Sequence, residues 1–400
     1  MKNNINRRSF LTRTGLATAG SLFVPNFLKA FDQQSTPLNS ERKLIVIQWS
    51  GGNDGLNCIV PYKNNLYYEA RPTIAIDSKK VLPLTDDLGL NPKLSFLRKL
   101  YDQGEISIVN NVGYPDPDRS HFRSMDIWQT ASNADEFLSS GWLGRFVDAH
   151  AATNHYAIEL DDTLSLALKG DTKSGFAMSN PRQLHQTTNN ELIQAIQKHH
   201  HSHEHDEKVA YLYQTLSNTV SSADYIFEKS KTYKTKQNYP KGALGKQMKQ
   251  VAELIIGGCD TQVYYVNFSG FDTHVNQTNK QDRLLEEYSN ALEALVNDLK
   301  KNGFWDDTLI MNFSEFGRRV AENGSRGTDH GQANNVYLMS GKIKKAGFYN
   351  TAPDLVNLSK GDLKYEVDFR NIYATVLQDW LQTNDQSILG RPFDSLNGIL

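Results

Sequence analysis

The chain has 400 residues, of which 39% are hydrophobic and 22% charged, and its formal net charge is −2. These proportions are typical of a folded protein long enough to bury a large core. The near-zero charge excludes the strongly basic character on which nucleic-acid binding depends. The two cysteines, Cys58 and Cys259, lack the paired spacing of a zinc or redox motif, and we expect both to be buried as small apolar side chains.

The first thirty residues have the pattern of a targeting segment. Arg7 and Arg8 precede Ser-Phe-Leu, and a modest apolar stretch rich in Gly, Ala and Thr ends near Ala30. That stretch is too short and too interrupted to span a membrane. Residues 1–30 are therefore interpreted as a signal for the twin-arginine export machinery, with a disordered basic tail as the alternative. The expected location is the bacterial periplasm or the extracellular space, with no transmembrane segment.

After a polar linker over 31–42, apolar runs alternate with amphipathic ones. The runs that predict strands are 43–52, 105–113, 155–160, 262–270, 307–317 and 335–341. The patterns that predict helices are 94–104, a helix starting at Ser120, 281–303 and 369–382. Such alternation predicts an α/β fold over 43–400, with three layers around a mostly parallel, doubly wound sheet.

The segment 169–246 differs from the rest because it is polar and helix-prone, and it is interpreted as a helical insertion. It contains the histidine run "HHHSHEH" at 199–205. A low-complexity tract of this kind lacks a fixed ligand geometry, so it is either a solvated surface stretch or a site of adventitious or storage metal binding.

Polar residues cluster after the predicted strands. The candidates are Asn53 and Asp54 after the first strand; Asp116, Asp118, Arg119, Ser120 and His121 after the second; Asp272 and His274 after the fourth; and Glu315, Asp329 and His330 after the fifth. In a doubly wound fold the carboxyl ends of the strands meet at one edge, so these distant segments are expected to form one site.

Carboxylates combined with imidazoles are suitable ligands for Zn²⁺, Mn²⁺, Mg²⁺ or Ca²⁺, and the number of candidates is enough for one ion or two. Ser120 stands where a helix begins, so its hydroxyl is either a plain cap or a nucleophile. An ester phosphate or sulfate beside it would meet the helix N-terminus, with Arg119 or Asn53 holding its other oxygens. His121 adjoins Ser120 and is a further catalytic candidate.

Several motifs, taken in order, resemble the bacterial family called domain of unknown function 1501. They are "RRSFL", "GGNDGLN", "RSHF", "GWLGR", "FDTH", "SEFGR", "GTDHG" and "DFRNIYATVLQDWL". The resemblance covers nearly the whole chain except the histidine-rich segment. It implies an alkaline-phosphatase-like fold, related to sulfatases and phosphodiesterases, and it implies no particular substrate.

Carried over residue by residue, the resemblance implies that Asp54 is a metal ligand and that Ser120 is the nucleophile. It further implies that Asp272 and His274 serve one metal and that Asp329 and His330 serve the other. Hydrolytic members of the superfamily supply a further histidine nearer the C-terminus, whereas no histidine follows His330 here. Glu315 is the candidate that fills this gap; otherwise the protein holds one metal or none.

Two functions remain open at this point. The first is an exported metal-dependent hydrolase of phosphate or sulfate esters with a serine nucleophile. The second is a non-catalytic exported protein that uses the same pocket to bind an anionic glycan or a surface partner. The intact Asp54, Ser120, Asp329 and His330 set favours the first, and the missing downstream histidine favours the second.

Overall fold

The structure, a computed structural model, describes residues 41–198 and 207–400. The predicted export signal, nearly all of the predicted linker and the histidine run at 199–205 lie outside the described residues, so the structure does not bear on them.

The strands follow the apolar runs of the sequence. In chain order they are β1 (Lys43–Ser50), β2 (Ile59–Val60), β3 (Leu82–Pro83), β4 (Gly89–Leu90), β5 (Ile106–Gly113), β6 (Ala157–Glu159), β7 (Phe176–Ala177), β8 (Val263–Ser269), β9 (Thr308–Phe313), β10 (Asn334–Met339), β11 (Gly347–Phe348) and β12 (Val367–Asp368). All six predicted strands are present, and each observed strand ends within a few residues of its predicted boundary.

Among the described residues, nine of these strands form one sheet in the order β11-β5-β10-β9-β1-β8-β6-β7, and β12 extends it beside β5. β1 lies at the centre and runs parallel to both β8 and β9. β10 is antiparallel to both of its neighbours, β5 and β9, whereas the other pairs are parallel. The prediction of a mostly parallel sheet is confirmed, and β10 is the exception to it.

The helices are α1 (Asn65–Ala70), α2 (Ser95–Asp102), α3 (His121–Thr130), α4 (Trp142–His150), α5 (Pro181–Thr188), α6 (Glu191–Lys198), α7 (Glu207–Thr232), α8 (Ala243–Ile256), α9 (Gln277–Lys301), α10 (Phe369–Thr375) and α11 (Asp385–Leu389). A π-helical turn, Val376–Trp380, continues α10 and completes the predicted C-terminal helix. None of the described helices is long and apolar enough to cross a membrane.

Alternate side chains of β1 enter two different cores, which makes the fold three-layered. Ile45 and Ile47 pack in the core that α2, α8 and α9 cover. Leu44 and Val46 pack in the core that α3, α4 and α10 cover on the opposite face. This two-sided burial explains why β1 is a continuous apolar run rather than an alternating one. Both cysteines are buried and unpaired, as expected.

The carboxyl ends of β1, β5, β8 and β9 converge at one edge, and the chain enters β10 from that edge. Gly51 follows β1 with a φ of 118°, a region that favours glycine, and a Cβ there would lie 2.4 Å from the backbone nitrogen of Asp272. The loops after β1 and β8 therefore touch directly.

Candidate metal centre

Three imidazoles surround one carboxylate oxygen at this edge. Oδ1 of Asp272 lies 3.1 Å from Nε2 of His274, 3.5 Å from Nε2 of His121 and 3.7 Å from Nε2 of His330. The donor atoms of His121, Asp272 and His330 all lie within 4.8 Å of one another. These residues come from the loop after β8, the first turn of α3 and the loop before β10, so the fold assembles the cluster from three distant segments.

The other nitrogen of each ring contacts an oxygen. His121 Nδ1 lies 2.8 Å from Oε1 of the fully buried Glu315. His274 Nδ1 lies 3.1 Å from Oδ1 of Asp329, and His330 Nδ1 lies 2.7 Å from the backbone carbonyl of Arg119. Because a carbonyl or an ionised carboxylate only accepts hydrogen bonds, each Nδ1 carries the proton, and in the neutral rings each Nε2 presents a lone pair. Oxygen partners of this kind orient metal-binding histidines.

Among the described residues, the Nε2 atoms are incompletely satisfied by hydrogen bonds, since the contact of His274 Nε2 with Arg318 Nη1 is as long as 3.5 Å. His121 Nε2 is buried and forms no hydrogen bond. His274 Nε2 and His330 Nε2 lie 2.9 Å apart, which brings two lone pairs together when both rings are neutral. A shared proton would relieve that contact, but burial is the main reason that the pKa of His330 is lowered, which disfavours its charged form. The donor set and its unsatisfied atoms therefore fit a divalent cation.

Arg318 fixes the carboxylate of this cluster. Its buried guanidinium donates to Oδ1 of Asp272 at 2.7 Å and to the carbonyl of Thr328 at 2.8 Å, and it also donates to the carbonyls of Gly51 and Gly52. Burial acts to raise the pKa of Asp272, but the hydrogen bond and charge of Arg318 outweigh it, so the pKa is lowered and the group stays ionised. Arg318 thus joins three loops to the candidate centre.

A hydrogen bond to Glu315 also affects the protonation of His121. That bond is the largest cause of the raised pKa of His121, and it outweighs the opposing effect of burial. The buried carboxylate therefore makes the imidazole more basic, and hence a better electron-pair donor at Nε2.

Asp54, which was predicted to be a metal ligand, lies in a buried hydrogen-bond network and outside the imidazole cluster. Both of its oxygens face the buried Arg71, at 2.6 Å and 3.0 Å, and Oδ2 also accepts a hydrogen bond from Gln277 Nε2 at 2.5 Å. Asp54 is 1% exposed. Its charge is balanced and its acceptors are used within a structural network.

Asn53, which was predicted to hold substrate oxygens, also has a buried side chain. Its amide contacts the sulfur of Cys58 at 3.3 Å, and its Oδ1 accepts from Gln281 at 3.1 Å. The residue is 2% exposed. The sequence placed it correctly in a turn after β1, but the turn points its side chain into the core.

Three other candidates lie at the imidazole cluster. Glu315 and Asp329 contact the Nδ1 atoms of His121 and His274, on the side of each ring away from Asp272. His121, which was predicted to be catalytic, supplies one of the converging Nε2 atoms. The third imidazole therefore comes from upstream in the sequence, not from the C-terminal side where the resemblance led us to seek it.

Ser120 and Arg119 stand directly before His121. Ser120 is the N-cap of α3, but its hydroxyl makes no capping hydrogen bond, and its backbone N–H donates to Asp118 Oδ1 at 2.6 Å. The hydroxyl is exposed and has no partner among the described residues. Arg119 forms an ion pair with the buried Asp362, so its guanidinium is already engaged.

The sequence-based reasoning missed several residues that build the site. Arg318, Arg71, Gln277 and Asp362 received no role, although Arg318 lies within the motif "SEFGR". A signal was available for Arg318 only, because a cation beside Glu315 at a strand end is a candidate partner for the acidic groups there. Arg71 and Asp362 lie in stretches with no recognisable motif.

The fold and the cluster together define a three-layer α/β protein with a candidate metal centre of histidines and a carboxylate at the carboxyl edge of its sheet. A match to a family model then assigns the chain to a protein family. Residues 103–395 match the model described as "Protein of unknown function (DUF1501)", and the chain belongs to that family. No curated protein matches the chain in sequence.

Solved structures that match the chain come from distant proteins. One is the lipoteichoic acid synthase LtaP from Listeria monocytogenes, with 10% identity and a TM-score of 0.45, covering 94% of this chain and 81% of that one. Another is a protein in the alkaline phosphatase superfamily from Vibrio parahaemolyticus, with 10% identity and a TM-score of 0.41, covering 92% and 76%. A third is the C-terminal periplasmic domain of EcEptC from Escherichia coli, with 10% identity and a TM-score of 0.40, covering 88% and 86%.

Proposed function

We propose that this protein is an exported, metal-dependent hydrolase of phosphate or sulfate esters with Ser120 as its nucleophile. The observation that supports the proposal is the set of three imidazole Nε2 atoms that converge on Asp272, of which that of His121 is buried with no hydrogen bond. A structural histidine normally has its buried nitrogens paired. Here the Nε2 atoms face one another and a carboxylate, as metal ligands do.

In this proposal Asp272, His121, His330 and His274 hold the ion. Glu315, Asp329 and the Arg119 carbonyl keep each imidazole in the tautomer that leaves Nε2 free. A divalent cation bound there would lower the pKa of a neighbouring hydroxyl or water and stabilise negative charge on the ester oxygens.

Ser120 has the exposure and position that a nucleophile requires. Its hydroxyl adjoins His121 and is tied to no other group, so the oxygen can approach phosphorus or sulfur. The Oγ–P or Oγ–S bond forms as the bond to the leaving alkoxide breaks, and the hydroxyl proton passes to solvent because no described base contacts it. Water then hydrolyses the seryl ester. The first-turn N–H groups at the start of α3 would favour an anion beside Ser120.

The test is to compare Ser120→Ala with Ser95→Ala, which alters another exposed serine at the start of a helix. Both variants should lack residues 199–205, so that the histidine run does not bind metal. We expect metal content by elemental analysis to be equal in both, and turnover of a panel of phosphate and sulfate esters to be lost only in Ser120→Ala. Turnover that persists in Ser120→Ala would exclude the serine mechanism, and a well-folded protein without metal would exclude the metal centre.

A second candidate function is binding without catalysis, and one observation favours it. Ser120 has no general base within hydrogen-bonding distance among the described residues, and Arg119 is already paired with Asp362. Under this alternative the site would bind an anionic glycan or a surface partner. The same ester panel separates the two functions, since this one requires ligand binding with no release of phosphate or sulfate.

A further inference from the structure

A basic cavity of about 780 Å³ lies beside the candidate metal centre. The residues that define its chemistry are Asp116, Arg119, Gln332, Lys360, Lys364 and Tyr365. Two of its walls come from the segments that build the centre: Arg119 directly precedes Ser120, and Gln332 lies two residues after His330.

The cavity carries a net positive charge. Asp362 is fully buried and is shared between Arg119 and Arg319, so one carboxylate faces two guanidinium groups. Lys360 and Lys364 are exposed and form no ion pair with any described residue. Asp116 is the one carboxylate on the cavity wall. Three cations, Arg119, Lys360 and Lys364, line the cavity against one carboxylate, Asp116. When the buried pair of Arg319 and Asp362 is included, four cations face two carboxylates.

The backbone of the cavity wall is held in an uncommon conformation. Asp116 and Lys360 both have positive φ angles, 53° and 54°. Aspartate tolerates this left-handed region, whereas lysine does so less readily. The carbonyl of Lys360 accepts a hydrogen bond from Arg319, which pins the strained residue in place. Residues kept in such conformations cluster at ligand-binding sites.

The cavity is close to the centre but does not coincide with it. The carbonyl of Arg119 accepts from His330 Nδ1 while its side chain lines the cavity. Along the chain, the cavity wall lies one to four positions from Ser120 and two positions from His330. Chain separations of this size put the two places close together. Neither Ser120 nor Asp272 nor any of the three imidazoles lines the cavity, so its lining is separate from the candidate centre.

We propose that this cavity is a second anion subsite, which binds another phosphate or sulfate group of the same substrate while the first group lies at Ser120. The inference rests on the proposed function for the identity of the first group. It names the substrate class as a molecule with at least two such groups, for example a multiply sulfated oligosaccharide or a polyphosphate, rather than a simple monoester.

The test uses the full chain and a double variant, Lys360→Ala with Lys364→Ala. The control is Lys79→Ala with Lys80→Ala, which removes the same charge from exposed lysines outside the cavity. The probes are a sulfated tetrasaccharide, a polyphosphate of matched charge, and inorganic sulfate, with affinities measured by calorimetry at low and high salt. The kinetic arm compares KM for a nitrophenyl monoester with KM for whichever multiply charged probe is hydrolysed.

We expect the cavity variant to bind at least one multiply charged probe roughly tenfold more weakly at low salt, and the difference to shrink at high salt. The control and the affinity for inorganic sulfate should change little, and so should KM for the monoester. Preference for the tetrasaccharide or the polyphosphate identifies the source of the anion. Equal losses in both double variants, or no loss in either, would overturn the subsite. Because binding is measured without turnover, absence of hydrolysis would refute only the proposed function.

Discussion

Two neighbouring clusters of polar side chains lie near the same edge of the sheet, and they differ in whether their hydrogen bonds are complete. Around Asp54, the carboxylate is fully paired with Arg71 and Gln277 and is almost entirely buried. Around Asp272, three imidazole Nε2 atoms converge, that of His121 has no hydrogen bond, and the carboxylate is half exposed. The comparison teaches that residue type and position at a strand end do not separate a structural network from a binding site, whereas unsatisfied atoms do.

The largest effect should come from breaking the complete network. Arg71→Ala leaves the charge of Asp54 buried and unpaired, which should lower the free energy of unfolding by about 3–5 kcal/mol. Urea denaturation followed by circular dichroism measures this. Arg98→Ala removes an exposed pair with Asp102 and should cost less than about 1 kcal/mol. If Arg71→Ala were as mild as that control, Asp54 would not belong to a buried charge pair.

Glu159 is a buried carboxylate that, unlike Asp54, has no cationic partner among the described residues. Burial raises the pKa of Glu159 to about 7, against a hydrogen bond from Ser165 that lowers it. Between about pH 4.5 and pH 7, Glu159 therefore keeps a proton in the folded state that it has released in the unfolded state. The stability that this proton contributes is lost as pH rises through 7. Glu159→Gln should remove this loss and stabilise the protein by about 3 kcal/mol at pH 8.

The measurement is thermal or urea unfolding of both proteins between pH 5 and pH 8. The curves should meet at the acid end of that range and separate as pH rises. A gap that is constant with pH would mean that the charge of Glu159 does not matter to stability.

The next effect concerns the residues that orient the imidazoles. Glu315→Gln keeps the shape of the side chain but removes the charge beside His121 Nδ1, and should weaken metal affinity by roughly 10–100-fold. Asp329→Asn makes the matching change beside His274, but at an exposed carboxylate, where solvent screening makes the expected loss smaller. Competition with a chelator gives both affinities. A larger loss in Asp329→Asn would show that His274, not His121, is the principal ligand.

The smallest effect on stability should come from Ser120. Its hydroxyl makes no capping hydrogen bond, so Ser120→Ala should change the free energy of unfolding by less than about 0.5 kcal/mol. Asn180 caps α5 through hydrogen bonds to the backbone of Arg182 and Gln183, and Asn180→Ala should cost about 1 kcal/mol. Equal losses of stability in the two variants would mean that Ser120 acts as a structural helix cap.

Much of the fold was predictable because burial on both faces leaves a strong pattern in the sequence. The runs that became β1, β5, β8, β9 and β10 are apolar enough to be recognised without a structure. The antiparallel direction of β10 was not predictable, because direction depends on how the chain returns to the sheet and leaves no mark on the pattern of side chains.

The candidate site was predictable in composition but not in roles. Asp272, His274 and His330 do converge at one edge, as strand-end positions suggested. The sequence could not reveal that Arg71 neutralises Asp54, because the two are 17 positions apart and belong to no shared motif. Nor could it assign His121, since the roles of the imidazoles depend on which oxygen each Nδ1 contacts.

The direction of β10 has a further consequence for how this protein can vary. The chain leaves β9 at Phe313 and enters the adjacent β10 at Asn334, so the segment between them starts and finishes at the same edge. No crossover helix is needed, and lengthening such a segment adds little closure entropy. Insertions and deletions between Arg319 and Gly327 can therefore accumulate without displacing a helix, whereas changes at Arg318, Thr328 or Asp329 would disturb the candidate centre. We expect length differences among members of the family to concentrate there, which makes this part of the molecule the easiest to diversify.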